Sequence, residues 1–245
     1  MKRLEGRVAI ITGSGKGIGR TVTLGMVQEG AVAVIADRDR VLTLEVQEEV
    51  EKSGHRALAI PTDVTCEDSV KDLVKKCMVE LGRIDILVNS TTIDSICPIE
   101  NMEEGEWDRV IGINLTSAFI CSKAVVPILL DQGKGRIINM TSDKAMKGDK
   151  DASHCAASKA GIIGLTKALA LELAPSGITV NTICHEEPNR RAVKPADSIG
   201  DERETVINQS FGKLEIVGTA IFLSSDAAEY VTGQTIVLNG GSLMV

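Results

Sequence analysis

Residues 12–19 of this chain read TGSGKGIG, and this stretch decides the fold. It directly follows the apolar run VAII at residues 8–11, and it opens a segment with the character of a helix. Glycines in this context permit a tight turn, let the backbone approach a pyrophosphate, and leave a helix N-terminus to stabilise its charge. The stretch therefore predicts a strand–turn–helix unit for a dinucleotide cofactor, with contacts from Gly13, Ser14, Lys16, Gly17, Ile18 and Gly19.

Short apolar runs recur along the whole chain and alternate with amphipathic segments such as residues 41–52 and 67–81. The runs are β-branched and apolar on successive residues, which is typical of parallel strands buried on both faces. Strand–helix alternation with short connections predicts right-handed βαβ units. We therefore expect an α/β fold of the Rossmann type, a doubly wound, seven-stranded parallel sheet in a three-layer α/β/α arrangement. The expected strands lie at residues 8–11, 32–35, 57–60, 84–88, 137–140, 178–180 and 236–238.

Length and composition suit one domain spanning residues 1–245, with an aliphatic core because only 2% of the residues are aromatic. The net charge of −7 gives no support for binding nucleic acid or an anionic membrane, and no apolar run approaches the roughly 20 residues that span a bilayer. The N-terminus leads directly into the first strand, so we expect no signal peptide. The six cysteines lack CxxC spacing, which indicates free thiols in a reducing cytoplasm. Residues 185–212 are the least regular stretch, and we expect a substrate lid or a surface loop there.

An acid after the second apolar run points to the adenosine ribose of the cofactor. Asp37 comes 18 residues after Gly19, near the spacing of about 20 expected for the carboxylate that binds this ribose. A carboxylate accepts hydrogen bonds from both ribose hydroxyls and repels a 2′-phosphate, which favours NAD. Lys16 and Arg38 are nearby cations that would favour NADP, although solvated cations commonly turn outward. We therefore expect NAD as the cofactor, with NADP as the less favoured alternative.

Over essentially its whole length the chain resembles the short-chain dehydrogenases/reductases, in particular 3-oxoacyl-carrier-protein reductases and their sugar and steroid relatives. The resemblance extends from the glycine stretch to the tail at residues 230–234, YVTGQ, and 239–241, NGG. It implies hydride transfer between a nicotinamide cofactor and a carbonyl or secondary alcohol, and a homo-oligomer that is usually a tetramer. It also implies adenine contacts from Asp63 and Val64, although an acid at a strand end also caps a following helix.

The resemblance assigns the catalytic positions as well. In the family a serine holds the substrate carbonyl, a tyrosine supplies its proton, a lysine binds the nicotinamide ribose, and an asparagine orders a relay water. Ser142, Lys159 and Asn114 match the serine, the lysine and the asparagine. The tyrosine position is Cys155, four residues before Lys159, and the chain's one tyrosine, Tyr230, lies in another segment. The spacing of four places Cys155 and Lys159 on one helix face.

Cysteine is a poor replacement for this tyrosine because of its reach. A thiol is acidic enough, with an ordinary pKa of about 8.5 against about 10 for a phenol. It is shorter by a ring, however, and proton transfer needs about 2.6–3.2 Å or one bridging water. Loss of a positioned acid slows a reaction by about 10²–10⁴-fold. We therefore expect either an oxidoreductase with weakened or altered activity, or an inactive relative that acts as a cofactor-binding or structural subunit.

Two further departures from the family pattern lie near the cofactor. The family's Asn-Asn-Ala-Gly is NSTT at residues 89–92, which keeps Asn89 as an expected cofactor contact and adds β-branched bulk after it. The family's Pro-Gly is His-Glu at residues 185–186. No metal is expected, because HxxxH and CxxC spacings are missing. One open alternative is a Cys–His nucleophile or a partial metal site formed by Cys155, Cys184 and His185.

Overall fold

Parallel strands and helices alternate through residues 2–186 and 213–244, the parts of the chain that this computed structural model describes. The strands are β1 (Val8–Thr12), β2 (Val32–Ala36), β3 (Ala57–Ala59), β4 (Ile86–Asn89), β5 (Gly135–Ser142), β6 (Ile178–His185) and β7 (Thr235–Leu238). The α-helices are α1 (Gly17–Gln28), α2 (Arg40–Lys52), α3 (Glu67–Leu81), α4 (Glu104–Ile111), α5 (Ser117–Gln132), α6 (Lys144–Lys147), α7 (Ser153–Leu173) and α8 (Lys213–Ser224).

All seven strands form one sheet in the order β3-β2-β1-β4-β5-β6-β7, and every pairing is parallel. The chain winds outward from β1 in one direction through β2 and β3, then returns to place β4 on the other side of β1. This confirms the expected doubly wound, seven-stranded fold. Ligands of such sheets bind at the carboxyl edge where the winding direction changes, which here is the edge between β1 and β4.

Aliphatic side chains cover both faces of the sheet, as the continuous apolar runs predict. Successive residues of β1 pack into two different hydrophobic clusters. Ile11 packs with residues of α1 and α8, whereas Ile10 packs with residues of α3 and α5. Side chains two apart along a strand therefore share a face, and immediate neighbours do not. This alternation decides which side chains at the strand ends lie together.

The strand boundaries correct two expectations from the sequence. β6 continues to His185, paired in register with Ser142 of β5, so His185 ends a strand and does not begin the predicted lid at residues 185–212. The rest of that predicted lid, residues 187–212, lies outside the described residues. β3 ends at Ala59, so Asp63 lies in the following loop and not at the strand end.

A continuous helix runs from Glu104 to Gln132, through α4, a π-helical turn at Gly112–Thr116, and α5. By length and composition alone, one window of it is long and apolar enough to cross a membrane, with a mean hydropathy of 1.7. Helices that pack against a protein core pass the same test, and 39% of this window is buried inside the protein. Polar residues interrupt its apolar side chains, so the sequence shows no continuous apolar run of that length. Its hydropathy is therefore weak support for a membrane span.

Candidate active site

A cavity of about 790 Å³ opens at the carboxyl edge of the sheet. Its volume lies within the range of roughly 300–1,000 Å³ that is usual for small-molecule sites. The fold brings together there most of the residues that the sequence predicts to bind the cofactor. Those that line the cavity are Gly13, Lys16, Gly17, Ile18, Gly19, Asp37, Asp63, Val64 and Lys159.

The glycines of the 12–19 stretch bring the backbone into close contact with itself at one part of the cavity. Gly13 has a φ of +63°, in the left-handed region that favours glycine. A Cβ on Gly19 would lie 2.3 Å from the carbonyl oxygen of Gly13. Gly17 begins α1, and a Cβ there would meet no neighbouring atom within 4 Å. A tight turn that leads to an uncovered helix N-terminus fits a pyrophosphate group.

Two residues predicted to contact the cofactor do not line the cavity. The hydroxyl of Ser14 donates to the carbonyl oxygen of Ile11 at 2.8 Å and accepts from the N–H of Ala36 at 3.0 Å. The side-chain amide of Asn89 donates to Oδ1 of Asn139 at 2.8 Å. Both side chains are buried and join neighbouring strands beneath the site. The structure therefore gives them a supporting role and not the predicted contact.

The carboxylate of Asp37 is held in position by backbone donors. Its Oδ2 accepts from the N–H of Gly15 at 3.1 Å, and its Oδ1 accepts from the N–H of Asp39 at 3.1 Å. Each carboxylate oxygen can accept a further hydrogen bond, so ribose hydroxyls can still bind there. Lys16 and Arg38 are both exposed to solvent.

Asp63 and Val64 form another part of the cavity wall. Oδ1 of Asp63 accepts from the hydroxyl and the N–H of Thr65, at 2.6 and 2.9 Å. These hydrogen bonds, with a smaller contribution from the charge of Arg38, hold the pKa of Asp63 below its ordinary value. The N-cap of α3 is Cys66, so Asp63 does not cap that helix. The carboxylate is therefore a charged group at the cavity and not part of a helix end.

A hydrogen-bond chain that the sequence did not reveal links Lys159 to Asn114. Nζ of Lys159 donates to Oγ1 of Thr92, which lies 3.3 Å from the acceptor Oδ1 of Asn114. The same Oδ1 accepts from the N–H of Ile93 at 2.8 Å, while Nδ2 donates to the carbonyl of Ile93 and to Oγ of Ser158. Because an amide offers two donor hydrogens and two acceptor lone pairs, these four hydrogen bonds use the full capacity of the side chain. Asn114 thereby holds the segment after β4 against α7.

The predicted catalytic residues Ser142 and Cys155 do not line the cavity. Ser142 is fully buried at the end of β5, and its hydroxyl has no hydrogen-bond partner among the described residues. Sγ of Cys155 accepts from the N–H of Ser95 at 3.3 Å and lies 3.4 Å from the carbonyl oxygen of Ser95. Burial raises the pKa of this thiol, so it stays protonated at neutral pH. Cys155 and Lys159 share the buried face of α7, as predicted, but only Lys159 reaches the cavity.

The segment that follows β4 covers the thiol of Cys155 and crowds the glycine stretch. Asp94 forms an ion pair with Lys144 at 2.7 Å, which ties the segment to α6. A Cβ on Gly13 would lie 2.9 Å from Cα of Thr91, so the segment packs directly on the glycine stretch. The bulk predicted for residues 89–92 is therefore accommodated by close packing.

The described residues give no support for the alternative Cys–His or metal site. Cys184 and His185 are successive residues of β6, so their side chains point to opposite faces of the sheet. His185 lines the cavity, whereas burial raises the pKa of the Cys184 thiol to about 12. Throughout residues 2–186 and 213–244, no three His, Cys, Asp or Glu side chains are grouped so that they could hold a metal ion.

Comparison with known proteins agrees with this geometry. The family profile described as short chain dehydrogenase matches residues 7–187, which is well over half of the chain. The chain belongs to the short-chain dehydrogenase family. Members of this family are oxidoreductases that use nicotinamide cofactors.

Similar proteins cover the whole length of this short-chain dehydrogenase. It is 38% identical to the 3-oxoacyl-(acyl-carrier-protein) reductase FabG of Staphylococcus epidermidis, with 96% of this chain and 98% of the relative covered. It is 37% identical to the reductase of the same name from Thermotoga maritima, with 98% of each covered. Among solved structures, a short chain dehydrogenase from Mycobacterium smegmatis shares 28% identity, with a TM-score of 0.86 over 97% of this chain and 93% of that one.

The residues of this short-chain dehydrogenase fit a nicotinamide dinucleotide. The uncovered N-terminus of α1, the carboxylate of Asp37 and the ammonium of Lys159 line one cavity, and each suits a different part of the ligand. Thr92 and His185 also line it; Thr92 had no expected role in binding or catalysis, and His185 was expected only in the alternative Cys–His or metal site. Residues 181–185, NTICH, contain β-branched side chains, and this composition would have predicted that β6 continues towards His185. The bond from Lys159 to Thr92 had no such signal, because it joins residues far apart in the chain.

Proposed function

We propose that this protein transfers hydride between NAD(H) and a carbonyl or secondary alcohol, with activity weakened or altered by the missing phenol. The observation that carries the proposal is the continuity of one cavity from the glycine stretch and Asp37 to Lys159. A dinucleotide has adenosine at one end, a pyrophosphate in the middle and the nicotinamide ribose at the other end. Groups suited to all three parts therefore have to line one continuous space.

Each group contributes by its charge and position. The N-terminus of α1 at Gly17 would stabilise the pyrophosphate. Asp37 would accept the adenosine ribose hydroxyls, and Lys159 would donate to the nicotinamide ribose. The bound nicotinamide would supply or accept the hydride. The hydroxyl of Ser142, which has no hydrogen-bond partner among the described residues, would donate a hydrogen bond to a substrate carbonyl that reaches it.

The first prediction concerns cofactor choice at Asp37. We expect NADH at 100 times its Kd to stabilise the protein by about 2.7 kcal/mol. Asp37→Ser should weaken NADH binding by roughly 10- to 100-fold, since hydrogen bonds to a charged group contribute about 1.5–3 kcal/mol. It should also strengthen NADPH binding, because the charge that repels a 2′-phosphate is gone. The measurement is nicotinamide fluorescence and melting temperature against each cofactor.

Glu45→Ser is the matched control, since Glu45 is an exposed carboxylate on α2 outside the cavity. It changes the net charge in the same way and should leave both affinities as they are. An unmodified protein that responds to neither NADH nor NADPH would overturn the proposed function. A preference for NADPH in the unmodified protein would overturn the choice of NAD alone.

The second candidate function is that of a cofactor-binding or structural subunit without catalysis. The burial of Ser142 and Cys155 away from the cavity favours it. The experiment that separates the two functions is Cys155→Tyr, with Cys155→Phe as its control. The tyrosine ring and the phenylalanine ring both have to displace Ser95, whose backbone nitrogen lies 3.3 Å from Sγ of Cys155. The difference in activity between the two variants therefore measures the effect of the tyrosine hydroxyl.

For the oxidoreductase, hydride transfer should be faster in Cys155→Tyr than in Cys155→Phe, because only the first variant adds a hydroxyl that can donate a proton at the family's position. The measurement is NADH oxidation with a panel of ketones and aldehydes. Equal inactivity of both variants, each folded and still binding NADH, would favour the non-catalytic subunit.

The remaining expectations stay predictions from the sequence. They are a single domain over residues 1–245, a substrate lid or surface loop after His185, a homo-oligomer that is usually a tetramer, a cytoplasmic location, and no binding to nucleic acid or membranes.

A further inference from the structure

The missing phenol leaves the proposed reaction without a proton donor at the family's usual position. Cys155 does not fill this role in the observed geometry, because it is 1% exposed, hydrogen-bonded to Ser95 and absent from the cavity wall. His154 is also fully buried, and its ring nitrogens have no hydrogen-bond partner among the described residues. A replacement has to be a side chain that lines the cavity and can both give and take a proton near neutral pH.

His185 is the one imidazole among the described residues that line the cavity. Histidine is the side chain whose unperturbed pKa, about 6.5, allows both proton donation and acceptance near neutral pH. The cavity also contains Lys159 and several carboxylates, whose ordinary pKa values lie further from neutrality. By chemistry and exposure to the cavity, His185 is the best-matched general acid and base.

The sheet places His185 beside Ser142. The two residues are paired in register at the carboxyl ends of β6 and β5, and Met140 is paired with Ile183 two positions earlier. Side chains two apart along a strand share a face, and residues paired in register on neighbouring strands point to the same side. The same side of the sheet therefore carries the side chains of Met140, Ser142, Ile183 and His185. Met140 and His185 both line the cavity. A carbonyl that Ser142 holds would therefore lie next to the imidazole.

The backbone around His185 makes it a rigid and oriented group. The N–H of Asp143 donates to the carbonyl oxygen of His185 at 3.2 Å, which locks the two strand ends together. Nδ1 of His185 lies 3.1 Å from the carbonyl oxygen of Glu186. Since a carbonyl only accepts, this contact assigns the hydrogen of the neutral ring to Nδ1.

We infer that His185 has taken over proton transfer from the missing tyrosine, acting with Ser142 in the reaction proposed above, on which this inference rests. In the direction of reduction, the carbonyl carbon gains a hydride from the reduced cofactor, which is oxidised. The carbonyl oxygen gains a proton from the His185 imidazolium. The products are an alcohol and a neutral imidazole, which solvent protonates again. In the direction of oxidation, the neutral imidazole accepts the alcohol proton.

The test replaces His185 with alanine and compares the variant with His55→Ala. His55 is a partly buried residue between α2 and β3, away from the cavity. We expect His185→Ala to lower turnover with NADH and a carbonyl substrate by about 10²–10⁴-fold. NADH binding and melting temperature should change little. Free imidazole should restore part of the lost turnover in a saturable way, which a purely structural role would not allow.

A second readout does not depend on turnover. The chain has three histidines, so the two variants assign their imidazole signals in an NMR spectrum of the labelled protein. NADH alone should shift the signals of His185 and leave those of His55 in place. NADH that binds without shifting the His185 signals would overturn the inference.

The remaining outcomes separate this inference from the function it rests on. Full turnover in His185→Ala would overturn the role of His185 and leave the oxidoreductase standing. If the unmodified protein binds NADH but reduces none of the carbonyl compounds, the role of His185 is also overturned, because a protein with a functional general acid should show turnover. Failure to bind either cofactor would overturn the proposed function itself.

Discussion

Gly19→Ala is expected to remove measurable NADH binding and to destabilise the free protein. The added Cβ would lie 2.3 Å from the carbonyl oxygen of Gly13 and 2.8 Å from its carbonyl carbon, so backbone has to move. Forcing extra volume into such a contact costs about 1–3 kcal/mol. The shift would also disturb the turn that approaches the pyrophosphate. For a chain of this length the melting temperature should fall by roughly 2–10 °C.

The matched control is Gly164→Ala in α7. Gly164 also lies inside a helix, but a Cβ there meets no neighbouring atom within 4 Å. Alanine is a better helix former than glycine, so this variant should be more stable by about 0.5–1 kcal/mol and should bind NADH normally. Calorimetry and NADH titration of both variants provide the comparison. Unchanged NADH affinity in Gly19→Ala would show that this close approach does not shape the cofactor site.

Lys159→Met is expected to lower hydride transfer by at least about 100-fold. The ammonium of Lys159 lies at the cavity with only 3% of the residue exposed, so its charge is poorly screened. Its loss would remove a charge-assisted hydrogen bond to the nicotinamide ribose, a contribution of about 1.5–3 kcal/mol. NADH affinity should therefore fall by roughly 10- to 100-fold. The rest of the loss should appear in turnover, because the nicotinamide is no longer held in position.

The folded state should tolerate this substitution, since methionine fills similar space and a buried charge is costly to desolvate. The control is Lys167→Met, an exposed lysine on the same helix two turns later. It should bind NADH and turn over substrate as the unmodified protein does. If both lysine variants lose activity equally, the effect belongs to the helix and not to the cavity. Normal turnover in Lys159→Met would contradict the proposed role of Lys159.

Several features were predictable from residues near one another in the sequence. The apolar runs anticipated all seven strands, because parallel strands buried on both faces need apolar residues in succession. The stretch at 12–19 placed the tight turn correctly, since the conformation of Gly13 favours glycine and Gly19 leaves no room for a Cβ. Asp37 lines the cavity, as its distance along the chain led us to expect. The ends of β3 and β6 were less accurate, because pairing with a neighbouring strand decides where a strand stops.

By itself, then, the sequence determined the doubly wound sheet and the tight glycine turn between β1 and α1. These depend on backbone conformation and on burial patterns, which are local properties of the chain. Only the tertiary structure decided that Ser95 covers the Cys155 thiol, that Thr92 links Lys159 to Asn114, and that His185 stands beside Ser142. Those contacts join segments far apart in the chain, and they depend on strand register, side-chain reach and burial, which spacing along a sequence does not specify.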